Sequence, residues 1–372
     1  MNNQMNNSYI EVNMQTLLDN ARAIISSLEA GCQLIPVLKD DAYGLGLLPV
    51  AEFLCTLDEI KTVAVSHVSE GLALRKAGID RDIIIMASAL PFQMESSVAN
   101  NLTLACGRLG LVPELAAAAK VQNKKARIHI KIDTGLHRIG IEPEELDSFI
   151  AELKENSAYI SVEGAFSHFS DSSDKALAKR EHEIFTAALA KLEAAGIVIP
   201  MRHMASSTTS EMSPQYNMDA VRIGRRLYMD NPSAPLGSIK ELASWRSYIT
   251  NIKLRRAGET VGYGEGVKIE KDSLIATVGI GYGDGLNQDL VKIKAPLLVN
   301  GCIAHYTACC MDQCMIDVSG IDCKVGDEIT FFGYDGKGGY LSSQEIAAMV
   351  NDDEGCGLTS ALSPRVARVY KY

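Results

Sequence analysis

The chain has 372 residues, 47% of them hydrophobic and 22% charged, with a formal net charge of -10. This composition supplies apolar material for one large or two medium cores and excludes a disordered or fibrous chain. Its acidic balance is spread rather than blocked, which argues against nucleic acid or an anionic membrane as partner, and no apolar run approaches the length of a bilayer span.

From about residue 10 to 228, short apolar runs bounded by turn residues alternate with amphipathic stretches, the rhythm of parallel strands joined by crossover helices. Strands are expected at 34–38, 63–66, 83–86, 103–106, 128–132, 162–167 and, shorter, 201–204. Helices are expected between them at 14–28, 48–56, 68–77, 144–155 and 174–195. Seven or eight such units meet the requirement of a TIM (β/α)8 barrel; a doubly wound open sheet is the competing arrangement.

Residues 230–238, with two prolines and mostly small side chains, read as a linker. Beyond it the pattern becomes β-like at 245–253, 274–280, 293–299, 313–318 and 328–332, with a helical stretch only at 342–350. The expected organisation is an α/β fold. A barrel domain spans 1–235, its first ten or so residues packing on the second domain, and a mostly β domain spans 239–372. Nine scattered cysteines with no paired CxxC spacing suit reduced thiols in a cytoplasmic protein rather than zinc or disulfides. The N-terminus lacks the basic and then apolar pattern of an export leader.

The sharpest local signal is Val37-Leu-Lys39-Asp-Asp-Ala-Tyr43-Gly-Leu-Gly46. An apolar strand ending in lysine puts an amine at the C-terminal mouth of a barrel, where active sites sit. Burial there would favour the neutral amine and equip it for carbonyl chemistry, although an isolated strand-end lysine is more often a solvated cap. Further motifs follow in order: 131–140 with Lys131 and Arg138, His168-Phe-Ser170, Ala205-Ser-Ser207, Val221-Arg-Ile-Gly224, Gly262-Tyr-Gly264, Gly281-Tyr-Gly-Asp-Gly285 and Cys310-Met-Asp-Gln313. Together with the lysine motif this ordered set resembles the alanine racemase family, fold type III pyridoxal-phosphate enzymes.

The resemblance implies a cytoplasmic racemase that binds pyridoxal 5'-phosphate and interconverts L- and D-alanine, with Lys39 and Tyr263 as the two bases. It assigns Tyr43, Ser207, Gly224 and Arg225 to the cofactor phosphate, where small residues let N–H groups approach an anion. Arg222 is then the group facing the pyridine nitrogen, with His168 orienting it; guanidinium has donors only. Arg138 faces the cofactor and the substrate carboxylate, a bidentate task suited to arginine. Lys131 aligns with a lysine that some relatives carbamylate. Met311, Asp312 and Tyr282 join the substrate side, and with Tyr263 they come from the partner in a homodimer whose sites are shared. A phenol has an ordinary pKa of about 10, so Tyr263 needs surroundings that help it ionise. Read alone, each of these positions also has a plain structural explanation, as turn, packing or strand-end chemistry.

Three departures bear on the substrate. Tyr306-Thr-Ala-Cys-Cys310 lacks the arginine that relatives place before Cys-Met-Asp, and Leu286-Asn-Gln288 replaces an aromatic and an arginine. Pro364 stands where alanine-specific members carry a pocket tyrosine. The alternative reading is a racemase for serine or a larger amino acid. Arg225-Arg226 is a further oddity, expected to be solvated, with an acidic substrate as the other possibility. A fold type III decarboxylase is disfavoured because its ring nitrogen meets an acidic residue where this chain has Arg222. A non-catalytic cofactor-binding barrel would lack the β domain and Tyr263, and the histidine spacing does not suit a metal-dependent hydrolase.

Overall fold

The computed structural model describes residues 6–171, 173–229, 239–264, 266–352 and 356–372. The expected linker at 230–238 lies outside the described residues. Strand β1 (Ser8–Asn13) is followed by eight short strands: β2 (Gln33–Pro36), β3 (Thr62–Val65), β4 (Asp82–Ile85), β5 (Thr103–Cys106), β6 (Ala126–Lys131), β7 (Ile160–Phe166), β8 (Arg202–His203) and β9 (Ala220–Ile223). Strands β3 to β8 pair in sequence order, all parallel, and β2 pairs parallel with β9. A bridge between Val37 and Ala64 and the bonds Asp219 N–H to Arg202 O and Arg222 N–H to Ala205 O close the ring. The result is a TIM-type barrel.

Strand alternation decides what enters the barrel. Ile35, Val37, Ala64, Ile84 and Ala220 form a small inner core. The intervening Leu34, Leu38, Val63, Ile83, Ile85, Val221 and Ile223 belong to the large core between strands and helices. By the same parity Lys39, His129, Lys131 and Arg222 follow the inner face. The main barrel helices run Met14–Ser27, Leu47–Leu54, Val68–Lys76, Leu111–Val121, Leu146–Glu155 and Lys175–Ala194. The first is capped by Asn13, whose side chain accepts the Thr16 N–H at 3.0 Å.

The second region is a mostly antiparallel sheet with a separate two-stranded hairpin beside it. It contains β10 (Ala243–Arg255), a side hairpin of β11 (Thr260–Val261) and β12 (Val267–Lys268), β13 (Ser273–Val278), β14 (Pro296–Val299), β15 (Cys302–Cys309), β16 (Cys314–Asp317), β17 (Glu328–Tyr334), β18 (Tyr340–Leu341) and β19 (Ala367–Lys371). The order β17-β14-β15-β16-β13-β10, with β10 also pairing β17, makes a closed six-stranded ring. Buried Trp245 fills it against Phe331, ring centroids 4.5 Å apart. β1 lies in this sheet, antiparallel to β10 and parallel to β19, so the chain starts in the β region and crosses to the barrel at Asn13.

Several elements differ from the sequence reading. β9, β15 and β19 were not anticipated, and the expected strand at 293–299 begins only at Pro296, because Lys294 turns into the left-handed region at φ 55°. Residues after Lys39 are not an ordinary helix. Asp40, Asp41, Ala42 and Tyr43 have φ of 58°, 54°, 53° and 57°, one left-handed turn.

The C-terminus returns to that turn. Arg368 Nε donates to Gly44 O at 2.9 Å, while its two amino groups donate to Leu362, Ser363 and Val366 carbonyls at 2.7–3.0 Å. Tyr370 Oη adds a bond to Leu45 O at 3.0 Å. Removing a charged donor from several carbonyls costs about 2–3 kcal/mol. Arg368→Ala is therefore expected to lower the thermal midpoint measurably, with Arg368→Lys recovering only part of the loss; an unchanged midpoint in the alanine variant would refute this lashing role.

Candidate active site

The barrel strands open at their C-terminal ends on one cleft of about 790 Å³, a size suited to a small molecule or cofactor. Lys39, Tyr43, Lys131, Arg138, His168, Ser207, Arg222, Gly224 and Arg225 all line it. Tyr263, Tyr282, Met311 and Asp312 do not.

Lys39 stands at the start of the left-handed turn, its Nζ 5.8 Å from the centre of the Tyr43 ring. The side chain is exposed, so the burial invoked for it from sequence is absent in the isolated chain. The turn itself is fixed. Glu70 accepts the Asp40 N–H at 2.7 Å, and Asp41 accepts the Leu47 N–H at 2.7 Å. Gly44, at φ 81°, ends it where a Cβ would collide with the Thr359 carbonyl.

At one end of the cleft the loop after β8 presents Ser206, Ser207, Thr208 and Thr209. Thr209 Oγ1 accepts the Ser206 N–H at 2.7 Å, and Arg225 donates to Thr208 Oγ1 at 3.3 Å. The Tyr43 phenol lies against Gly224 so closely that a Cβ there would overlap it. Hydroxyls, a glycine backbone and one guanidinium suit a phosphate group. The expectation that Arg225 and Arg226 are both solvated is corrected: Arg225 lines the cleft, and Arg226 is buried with its Nε 2.9 Å from Glu211 Oε1. That pair ties the Ser-Thr loop to the segment after β9.

Below the cleft Arg222 is buried and held from several sides. Its amino groups donate to His203 Nδ1 at 2.8 Å, Ser167 O at 2.8 Å, Met204 O at 3.0 Å and His168 Nδ1 at 3.1 Å. Because guanidinium only donates, both histidines accept at Nδ1 and carry their proton at Nε2. His203 then donates to His129 Nδ1 across 2.8 Å, which fixes that ring as well. Burial and the nearby cations push His129 and His168 down to about 3, and His203 well below its usual value. All three are neutral at physiological pH. Arg222 is itself pushed down by burial, to about 9, and keeps its charge at neutral pH.

His129 and His203 escaped the sequence reading. Their signal was Ile128-His-Ile-Lys131, where alternation puts His129 and Lys131 on one face between apolar neighbours on the other. Cys356 and Ser360, which reach the cleft from the C-terminal region, carried no signal at all.

Lys131 donates to Ile132 O at 2.8 Å and lies 5.6 Å from the Phe166 ring centre. Burial, reinforced by Arg222, lowers its pKa to about 7. Arg138 is exposed at the rim.

A second cluster forms in the β region. Tyr263, 75% exposed, bonds the Cys310 side chain, with Tyr282 and Asp312 nearby. These neighbours raise the phenol's pKa, Cys310 foremost, opposite to the ionising surroundings expected for a base. Asp312 is anchored through Arg365, which bonds it at 2.7 Å and buried Asp284 at 3.1 Å. Pro364 borders a separate shallow cleft with Asp40, Asp41 and Arg368 rather than the main one.

Family comparison covers both regions. The models described as alanine racemase, N-terminal domain, and alanine racemase, C-terminal domain, match residues 12–232 and 242–370. Alanine racemase of Clostridium tetani is 33% identical over 97% of this chain and 95% of its own length, and that of Desulfovibrio desulfuricans 34% over 97% of each. Among solved structures, alanine racemase of Clostridium difficile 630 superposes with a TM-score of 0.89 at 30% identity, covering 98% of this chain and 96% of its own. The Bacillus anthracis alanine racemase with bound L-Ala-P gives 0.91 at 26%, covering 99% and 95%.

The lowered Lys131 pKa sets a stability trend. A lysine that binds its proton less tightly when folded leaves the unfolded chain with more protons between about pH 7 and 10.5, so stability rises with pH across that window. Relative to Lys131→Met, the native chain is expected to gain thermal stability from pH 7 to pH 10; parallel melting curves for the two proteins would contradict the shift.

Proposed function

Because the chain belongs to the alanine racemase family, we propose that it interconverts L- and D-alanine through proton transfers at Cα, by Lys39 on one face and, on the other, Tyr263 of a second copy of the chain. The observation that carries this reading is the convergence of Lys39, Tyr43, Arg138 and Arg222 on one cleft that no phenol of the β-region cluster lines. In this reading residues 1–235 form the cofactor-binding barrel, residues 239–372 form the β domain, and the working unit is a cytoplasmic homodimer. The nine free cysteines favour that compartment, and among the described residues no helix is long and apolar enough to cross a membrane.

Pyridoxal 5'-phosphate held at Lys39 would supply the electron-accepting ring that makes the substrate Cα acidic. The Ser206–Thr209 loop, Gly224, Arg225 and Tyr43 would hold its phosphate. Arg222 would donate to the ring nitrogen; its proton, retained at neutral pH, is not available for transfer, which limits charge withdrawal and favours return of a proton to Cα. His168 and His203 position Arg222, and Arg138 clamps the substrate carboxylate. Lys39 and Tyr263 exchange the proton from opposite sides. In this arrangement the second subunit's Met311, Asp312 and Tyr282 shape the substrate side, and the partner barrel brings Tyr263 the cations that its own chain does not.

Shared sites have a distinctive signature. Lys39→Ala and Tyr263→Phe are each expected to lower racemisation by roughly 10²-fold or more. Mixed and allowed to reassort, they form heterodimers with one intact site, restoring about a quarter of native activity. No recovery on mixing would place the two bases in the same chain or dismiss the dimer. Enantiomer separation after incubation with alanine, serine and larger L-amino acids reads out the substrate, with alanine expected to turn over fastest.

A further inference from the structure

The hairpin that carries Met311 and Asp312 at its tip also carries, next to that tip, three thiols, Cys309, Cys310 and Cys314, that the racemase reading does not use. Cys309 and Cys314 are direct partners across β15 and β16. The pair one step nearer the tip, Cys310 and Gln313, is joined by Cys310 N–H to Gln313 O at 2.7 Å. Antiparallel pairs alternate between bonded and non-bonded, so Cys309 and Cys314 occupy a non-hydrogen-bonded site, where Cα atoms lie about 4.5 Å apart and side chains come closest. That separation lies within the range a disulfide spans, about 4.4–6.8 Å between Cα atoms. Their side chains share a face; Cys310 points the other way, toward Tyr263.

We propose that Cys309 and Cys314 form a dithiol that a peroxide oxidises to a cross-strand disulfide within the folded chain. Cys309, the half-buried member, attacks the peroxide: an S–O bond forms, the O–O bond breaks and one oxygen leaves as water. Buried Cys314 then attacks the Cys309 sulfur, the S–S bond forms, the S–O bond breaks and a second water leaves. Two thiols are oxidised and one peroxide is reduced. In the resting state burial keeps both thiols protonated, pushing Cys309 up to about 11 and Cys314 well above its usual value, so the attacking thiolate is scarce and the oxidation is slow at neutral pH. Cys309 donates meanwhile to the Cys310 carbonyl at 3.2 Å. The bond would staple the hairpin just below Met311 and Asp312 without using Cys310, and it stands whether or not the racemase reading does.

Limiting hydrogen peroxide on the folded holoenzyme, alkylation of the remaining thiols and digestion before aspartate test this directly. Cleavage separates residues 289–311, with Cys302, Cys309 and Cys310, from residues 312–316, with Cys314. The expected product is these two peptides joined, two hydrogens lighter than their sum and separated by a reductant. The link should vanish in Cys309→Val and survive in Cys302→Ser. Recovery of peptide 312–316 fully alkylated, or a link that persists in Cys309→Val, would overturn the assignment.

Discussion

Everything at the cleft depends on four consecutive non-glycine residues held in the left-handed region. Each L-residue there costs about 1–2 kcal/mol, so Asp40 to Tyr43 together represent a strain that local propensity could not sustain. Most of the bonds that oppose it come from elsewhere in the chain. Glu70 and Asp41 take backbone N–H groups, Arg368 and Tyr370 take carbonyls, and Gly44 allows the Thr359 carbonyl to close on the turn. A right-handed turn after Lys39 would carry Tyr43 away from Gly224. The left-handed one sets amine and phenol side by side over the same cleft, and the C-terminal strand is required to hold it so.

The second constraint is the buried charge of Arg222. A guanidinium away from water is tolerable only when its donors are satisfied, and three carbonyls and two imidazoles do this. The same contacts decide the histidine tautomers, and through them the state of His129, which does not itself line the cleft. The donor that faces the cleft is therefore fixed in position and in protonation by a chain of neutral rings that cannot charge at physiological pH. Lys131, beside the same guanidinium, is lowered as well, to about 7, by its burial and by the Arg222 charge.

Much of this was legible in the residues. The alternation of apolar runs and amphipathic stretches marked seven of the barrel strands within a few residues, and nine of the expected site residues do line one cleft. What escaped has physical reasons. β9 is short and interrupted by Arg222, so its apolar signal is weak. β15 carries a histidine, a threonine and two cysteines and alternates poorly, while the left-handed turn opposes every local preference and could not be read from them. Arg226 looked like a surface cation because its acceptor, Glu211, is distant in sequence. Lys39 was expected to be buried, but the chain alone leaves it open to solvent.

That openness and the raised pKa of Tyr263 point the same way. Lys39 stands uncovered at the barrel mouth, and Tyr263 stands uncovered on the β region beside groups that oppose its ionisation. The surroundings of Tyr263 thus oppose the charged form that a base needs. Closing the β-region cluster of one copy over the barrel mouth of another would change both at once: the amine would lose water, and the phenol would gain Lys39 and Arg138 as neighbours, cations that favour its charged form. In the proposed reading, an isolated chain thus leaves Tyr263 among groups that oppose its ionisation, and association would supply the favourable charges.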